Sequence, residues 1–489
     1  MDVAMANAAD LYYSGYNAAA ATNVGWLNWS PAIGWLSISP EEDLHDEKEA
    51  MAWQYSDDYA LAGSSPETLD HWSSSTVSEM TLSSAAGTPA EEPLKLSSVG
   101  EIDKGIRLIH LLTAAAEALA GDQKSHELSK VILARLKELL PSPASGSSME
   151  RLAGHFAKAL HCLLVDGEAE DNCSGIETTA ITAASQLLQD MSPYVNFGHF
   201  TANQAIVEAV GGERRVHIVD FDIMEGAQWA PLLQAFMSMK DGPPPSHVKI
   251  TAVTAGRKSA SAAVQETGRM LAAFAASISL PFSFAQCRLD RDGCFRPAAL
   301  KVLRGEAIVF NCALHAPHHH HHSPASIRSF LASAADFGAR LVTVVEEEGR
   351  DTAGGGKGGF LVGFMEELQR YSTLWDALEE GFPKQSKARE MVENLVFGPR
   401  IAGAVEEAFR RREDDVTECW SEWMAAADFR KVALSFFNQW QAKLLLGLFN
   451  EGYRVEEEAP NKLVLGWKSR RLVSASVWSA QPPPADAED

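Results

Sequence analysis

The sequence predicts an α/β protein: a Rossmann-like, doubly wound, mostly parallel sheet with an N-terminal helical cap and antiparallel strands at its C-terminal edge. Three observations predict it. Apolar residues recur at 3-and-4 spacing through residues 104–210, the period of helices buried along one side. At Val216 this gives way to short, nearly continuous apolar runs alternating with helical stretches. Such alternation marks βαβ units whose strands are covered on both faces. Beyond residue 450, three strand-like runs follow one another across turn residues alone.

Taken in order, Ile106, Ile109, Leu112 and Leu119 share a helical face, and helix is expected from about Gly105. Ser125 is placed to cap SHELSKVILARLKELL, where Leu128, Ile132, Leu136 and Leu139 line one side and Pro141 ends the helix. Met149, Leu152, Phe156, Leu160 and Leu163 stripe a third helix; Ile181, Ala184, Leu188 and Met191 stripe a fourth. Thr201 and Gln204 have capping-box spacing at the start of a fifth, which Gly211-Gly212 closes. VHIVDF opens the sheet at Val216. HVKITAV (247–253), FSFAQCRL (282–289), EAIVFNCAL (306–314) and RLVTVVEEE (340–348) continue it, with helices expected around 259–279, from Ser326, and from about Phe360 to Glu380. Helix-rich sequence then runs to about Ala427. GYRVEEE, NKLVLGW and RLVSASVW are the three closing strands.

The expected organisation is a disordered, acidic and aromatic leader over 1–100, a domain over 101–480 and a tail over 481–489. Within the domain, 101–212 is the helical region with the cap and 213–480 the α/β core with further helices. The chain has 42 Lys and Arg against 65 Asp and Glu, a net charge of −23. More than half of that excess, −13, falls in residues 1–100. A protein built only to neutralise phosphate would carry the opposite sign. The leader also holds Trp26, Trp29, Trp35, Trp53 and Trp72. Acids interleaved with aromatics suit a docking segment as well as a solvated leader. The six Cys form no CxxC pair and read as thiols of a reducing compartment. The start has no basic n-region, and no run of about 20 apolar residues is present to span a bilayer.

Chemistry is sparse. The turn after the first strand is where a nucleotide or S-adenosyl cofactor would dock on a glycine-rich loop. Here Asp220-Phe221-Asp222-Ile223-Met224-Glu225-Gly226 offers one glycine. The second strand ends Ala252-Val253-Thr254-Ala255, without an acid for ribose hydroxyls. No cofactor is expected. Asp220, Asp222 and Glu225 read as capping the following helix and pairing locally rather than as metal ligands. His315 with the run His318 to His322, and Gly354 to Gly359 around Lys357, read as low-complexity insertions; the latter lacks the spacing of a phosphate loop. No GxSxG or HExxH occurs, and no catalytic or metal residue is assigned. Arg410-Arg411-Arg412 and Lys468-Ser469-Arg470-Arg471 read as solvated surface.

VHIVD at 216–220, after an Ala/Leu-rich helical region, resembles the VHIID core of the plant GRAS transcriptional regulators. Residues 441–478 resemble that family's SAW region, including Gly452-Tyr453, Leu465-Gly466-Trp467 and Trp478. Four stretches (104–119, 196–210, 216–235 and 264–284) are similar to its symbiosis-signalling branch. The resemblance implies a fold like that of S-adenosylmethionine methyltransferases. It implies a non-enzymatic nuclear co-regulator of transcription in nodulation and mycorrhizal signalling and of strigolactone biosynthesis genes. It further implies action as a heterodimer with a second GRAS protein of the nodulation-signalling-pathway 1 type, or as a homodimer, with promoter DNA reached mainly through the partner. Ile109, Leu112, Leu119, Leu128 and Ile132 are the candidate partner contacts. Val216, His217, Ile218, Val219, Asp220, Trp467 and Trp478 are the structural motif residues. Val219 replaces the second Ile of VHIID, Ala426-Ala427-Asp428-Phe429 replaces a usual Gly-Phe, and the PFYRE segment is poorly kept around 392–405. The alternatives are a methyltransferase-like cofactor enzyme and a small-molecule sensor on the same sheet.

Overall fold

In the computed structural model the described residues are 94–480, except 122, 142–145, 165–177, 222, 224, 240–241, 255–257, 314–323, 349–358, 383–386, 411–423 and 425–426. The acidic leader up to residue 93, the His run, residues 354–358 of the Gly run, Asp222, Met224, Arg411, Arg412 and the tail lie outside them, whereas 94–100 of the expected leader begin the first helix. Lys104–Asp489 belongs to one compact unit.

Five helices come first: α1 (Leu94–Ala120), α2 (Gln123–Leu139), α3 (Ser148–Leu164), α4 (Thr178–Met191) and α5 (Pro193–Ala209). The expected capping box at Thr201 is wrong. Helix α5 starts eight residues earlier, where Ser192 accepts a hydrogen bond from the Tyr194 amide ahead of Pro193. Thr201 is mid-helix, and its hydroxyl donates back to the Phe197 carbonyl at 2.8 Å.

The sheet is built from β1 (Arg215–Phe221), β2 (His247–Thr254), β3 (Phe282–Arg288), β4 (Ala307–Ala313), β5 (Leu341–Glu347), the short β6 (Arg430–Lys431), β7 (Tyr453–Ala459), β8 (Lys462–Trp467) and β9 (Arg470–Ser479). The order is β3-β2-β1-β4-β5-β9-β8-β7, with β6 paired to β9. β1–β5 are mutually parallel and β7–β9 antiparallel. Helices α6 (Trp229–Ser238), α7 (Lys258–Ser277), α8 (Pro324–Asp336) and α9 (Phe360–Gly381) connect the strands and follow β5. Then come α10 (Lys387–Met391), a π-helical stretch (Val392–Phe397), α11 (Gly398–Arg410) and α12 (Phe436–Leu446).

Side-chain alternation along β1 divides the core. Val216 and Ile218 join the larger core with the helical cap, including Leu112, Phe156, Leu188, Phe197 and Trp375. Val219 and Phe221 face the opposite side, where Phe310, Phe330, Val342 and Trp478 form a smaller core. β1 and β4 are therefore buried on both faces, which is why VHIVDF reads as an unbroken apolar run, whereas the edge strands β3 and β7 are only partly buried.

Candidate functional site

Chain order reverses between β1 and β4, and ligands of doubly wound sheets bind outside the carboxyl ends of the strands at that point. Register there sets Asp220 beside Asn311 and Asn311 beside Thr343, a polar row across three neighbouring strands. All three are buried. The Asn311 amide donates to Asp220 Oδ1 at 2.8 Å, and the Trp229 indole donates to Asp220 Oδ2 at 2.8 Å. Thr343 donates to Asn311 Oδ1 at 2.6 Å. Gln228 Nε2 donates to Asn203 Oδ1 at 3.3 Å and to Asn311 Oδ1 at 3.2 Å, and Asn203 donates to the Gln228 carbonyl at 2.8 Å. Among the described residues these side chains thus satisfy one another at the carboxyl ends of β1 and β4, and Trp229, Gln228 and Ile223 are buried as well.

One expectation changes here. Asp220 does not cap the backbone of α6, whose N-cap Gln228 makes no side-chain capping bond. It accepts instead from the indole of the first helical residue, because the carboxylate faces Trp229 across a tight turn. The single glycine of the turn also has a packing reason. Gly226 has φ of 75°, and a Cβ there would lie 2.7 Å from Thr267 Cγ2 on α7.

The other motif residues are structural too. Val216, Ile218 and Val219 are buried. His217 is fully buried, with Nδ1–H donating to Glu306 at 3.0 Å and Nε2 accepting from the Thr251 hydroxyl at 2.8 Å. Burial, reinforced by Lys249, lowers its pKa to about 4 against the pull of Glu306. The imidazole is therefore neutral at pH 7, and the Glu306 contact is a hydrogen bond rather than an ion pair. The Trp467 indole donates to Asp376 at 2.7 Å and its ring meets Tyr453 edge-on at 4.7 Å. Trp478 closes the smaller core and donates to Ser476 at 3.0 Å.

Of the candidate partner contacts, Leu112 and Leu119 are 0% and 2% exposed. They are core residues, which corrects their assignment: periodicity marks an apolar face without saying what covers it. Ile109 and Ile132 are half-buried against the same core. Leu128 is 55% exposed on α2, beside Val131 at 66%. Two of the three cations of the basic turn at 468–471 are matched by acids. Lys468 pairs with Asp376 at 2.7 Å and Arg471 with Glu458 at 3.0 Å. Arg410 pairs with Glu406. Asp428 takes φ of 60°, the left-handed conformation a glycine would enter most easily.

Two buried ion clusters were invisible in the sequence. Arg151 on α3 contacts Glu393 of the π-helical stretch at 3.0 Å and also Glu379, which Arg389 reaches at 3.2 Å. Glu347 at the end of β5 receives Arg370, Arg400 and the Tyr194 hydroxyl. The first cluster ties α3 to the π-helical stretch across 242 residues of sequence, and the second ties α5 to the sheet across 153. Asn311, Gln228 and Thr343 were missed for the same reason, since only strand register makes them neighbours.

Residues 108–479 match the GRAS domain family. The chain is 46% identical to Protein NODULATION SIGNALING PATHWAY 2 of Medicago truncatula, over 98% of each chain. It is 53% identical to the protein of the same name from Lotus japonicus, over 77% of this chain and 76% of that one. The crystal structure of SCL7 in Oryza sativa aligns with 76% of this chain and 99% of that chain, at 29% identity and a TM-score of 0.59. The chain is thus a member of the plant GRAS domain family of regulatory proteins.

Proposed function

We propose that this chain is a non-enzymatic nuclear co-regulator of transcription in nodulation and mycorrhizal signalling and in control of strigolactone biosynthesis genes, acting with a second GRAS protein of the nodulation-signalling-pathway 1 type. The names of the two relatives support the signalling role. The observation that carries the non-enzymatic reading is the Asp220–Asn311–Gln228–Trp229 network, in which protein side chains use up the polar groups at the sheet's switch point. A buried network satisfied from within stabilises the scaffold and offers a ligand little to bind. Among the described residues no helix is long and apolar enough to cross a membrane. The exposed Leu128 of α2, together with the half-buried Ile132 and Ile109, is the proposed partner contact.

The test is a promoter gel shift with this chain alone, the pathway 1 type partner alone, and both together. The pair should retard the promoter at lower concentration than either alone, and Leu128→Asp should abolish that gain. A pair that behaves as the partner alone does would overturn the reading.

A further inference from the structure

Because β1–β5 are parallel, their amino ends form one edge of the sheet, opposite the filled crevice. The segments entering that edge carry Arg214, Arg215, His247, Lys249, Lys301, Arg304 and Arg340. Among the described residues of these segments the carboxylates are Glu213, Glu306 and Asp336. Two of these are engaged: Glu213 pairs with Arg340 at 3.0 Å, and Glu306 is buried against His217 and the Leu303 amide. Arg214, Arg215, Lys301 and Arg304 are exposed, and among the described residues none has an ion-pair partner. That contrasts with the 468–471 turn, whose Lys468 and Arg471 are matched by acids.

The fold brings these cations together. Arg215 lies opposite His247 in the β1–β2 register, and Val216 lies opposite Ala307, which sets the 301–306 loop beside Arg215. The Lys249 ammonium donates to the Lys301 carbonyl at 2.5 Å. Burial, with the Lys301 charge beside it, pushes Lys249 below its usual pKa despite Glu306. Gly305, at φ of 83°, turns Arg304 and Leu303 outward at the loop tip. In a chain of net charge −23, an unpaired cationic edge is a local inversion of sign.

We infer that the amino edge of the sheet, through Arg214, Arg215, Lys301 and Arg304, binds the phosphate backbone of duplex nucleic acid without reading its sequence. This goes beyond the proposed function, which gives promoter contact mainly to the partner. Four cations suffice to hold and orient a duplex that a partner reads, because phosphate contacts position while base contacts specify.

Fluorescence anisotropy of the full chain with a labelled 20-base-pair random duplex tests it, over 50–200 mM salt. Four phosphate contacts give a slope of log affinity against log salt of about −3.6, a roughly 150-fold weakening over that range. The triple variant Arg215→Gln, Lys301→Gln, Arg304→Gln should fall to a slope of about −0.9 with an unchanged thermal midpoint. The pair Arg269→Gln, Arg296→Gln, which removes cations already matched by Glu266 and Asp290, should leave the slope as it was. No binding at 50 mM salt, a triple variant indistinguishable from the parent, or capture by phosphatidylserine vesicles with the duplex left free would each overturn the inference. Absence of duplex binding by the parent chain, with the partner-dependent gel shift intact, would refute this site and leave the proposed function standing.

Discussion

Replacing Asp220 by Ala strips the central acceptor from the crevice network. The Trp229 indole and the Asn311 amide each lose a 2.8 Å hydrogen bond, and both groups are buried. A buried donor left without a partner costs about 1–3 kcal/mol, and bonds to a charged acceptor lie at the upper end. The amide retains a contact to Gln228 Oε1 at 3.2 Å, so its loss is partial. The expected destabilisation is about 3–4 kcal/mol. Asp220→Asn keeps one acceptor and places an NH2 against a donor, so it should cost about half as much. Trp229→Phe removes the matching donor, and a double-mutant cycle should give a coupling of about 1–2 kcal/mol. Urea unfolding followed by tryptophan fluorescence and circular dichroism supplies the values. If Asp220→Ala unfolds within about 0.5 kcal/mol of the parent, the carboxylate is not the hub of the network and the reasoning fails.

Removing Glu393 (Glu393→Ala) leaves Arg151 and Arg389 buried near Glu379 alone, and should cost about 3–5 kcal/mol by urea unfolding. His217 is lowered from 6.5 to about 4, so the unfolded chain binds its proton more tightly; the stability from neutral His217 is present above pH 6.5 and lost as pH falls through 4. Between pH 7 and 5 it accounts for about 2 kcal/mol, and His217→Gln should show that much less decline in unfolding free energy over the same interval. Leu128→Asp should fold normally and lose the partner in a pull-down, whereas Leu112→Asp, at a site 0% exposed, should not fold. Equal behaviour of the two in circular dichroism would remove the distinction between surface and core on these helices.

The strands were legible because burial on both faces writes an apolar run into the sequence, as in VHIVDF and AIVFNCA. The antiparallel edge was legible because its turns carry no helix between strands. The start of α5 was not: Thr201 and Gln204 mimic a cap, while Ser192-Pro193 supplies the real one. Leu112 and Leu128 are alike in sequence, both aliphatic and in helical register, and only packing separates a core residue from a surface one. The crevice network joins Asp220 to Asn311 across 91 residues, and the Arg151–Glu393 pair spans 242. Such pairings depend on strand register and helix docking, for which local pattern carries no signal. The missing glycine turn after β1 was visible in the sequence, but what fills its place was not. The cationic amino edge is likewise assembled from separate loops, none of them notably basic.

This doubly wound sheet carries its own side chains where a cofactor would sit. Isothermal titration of the full chain with S-adenosylmethionine tests it most directly. No binding heat is expected up to millimolar ligand, for the parent and for Asp220→Asn alike. Saturable binding at micromolar concentration would contradict it.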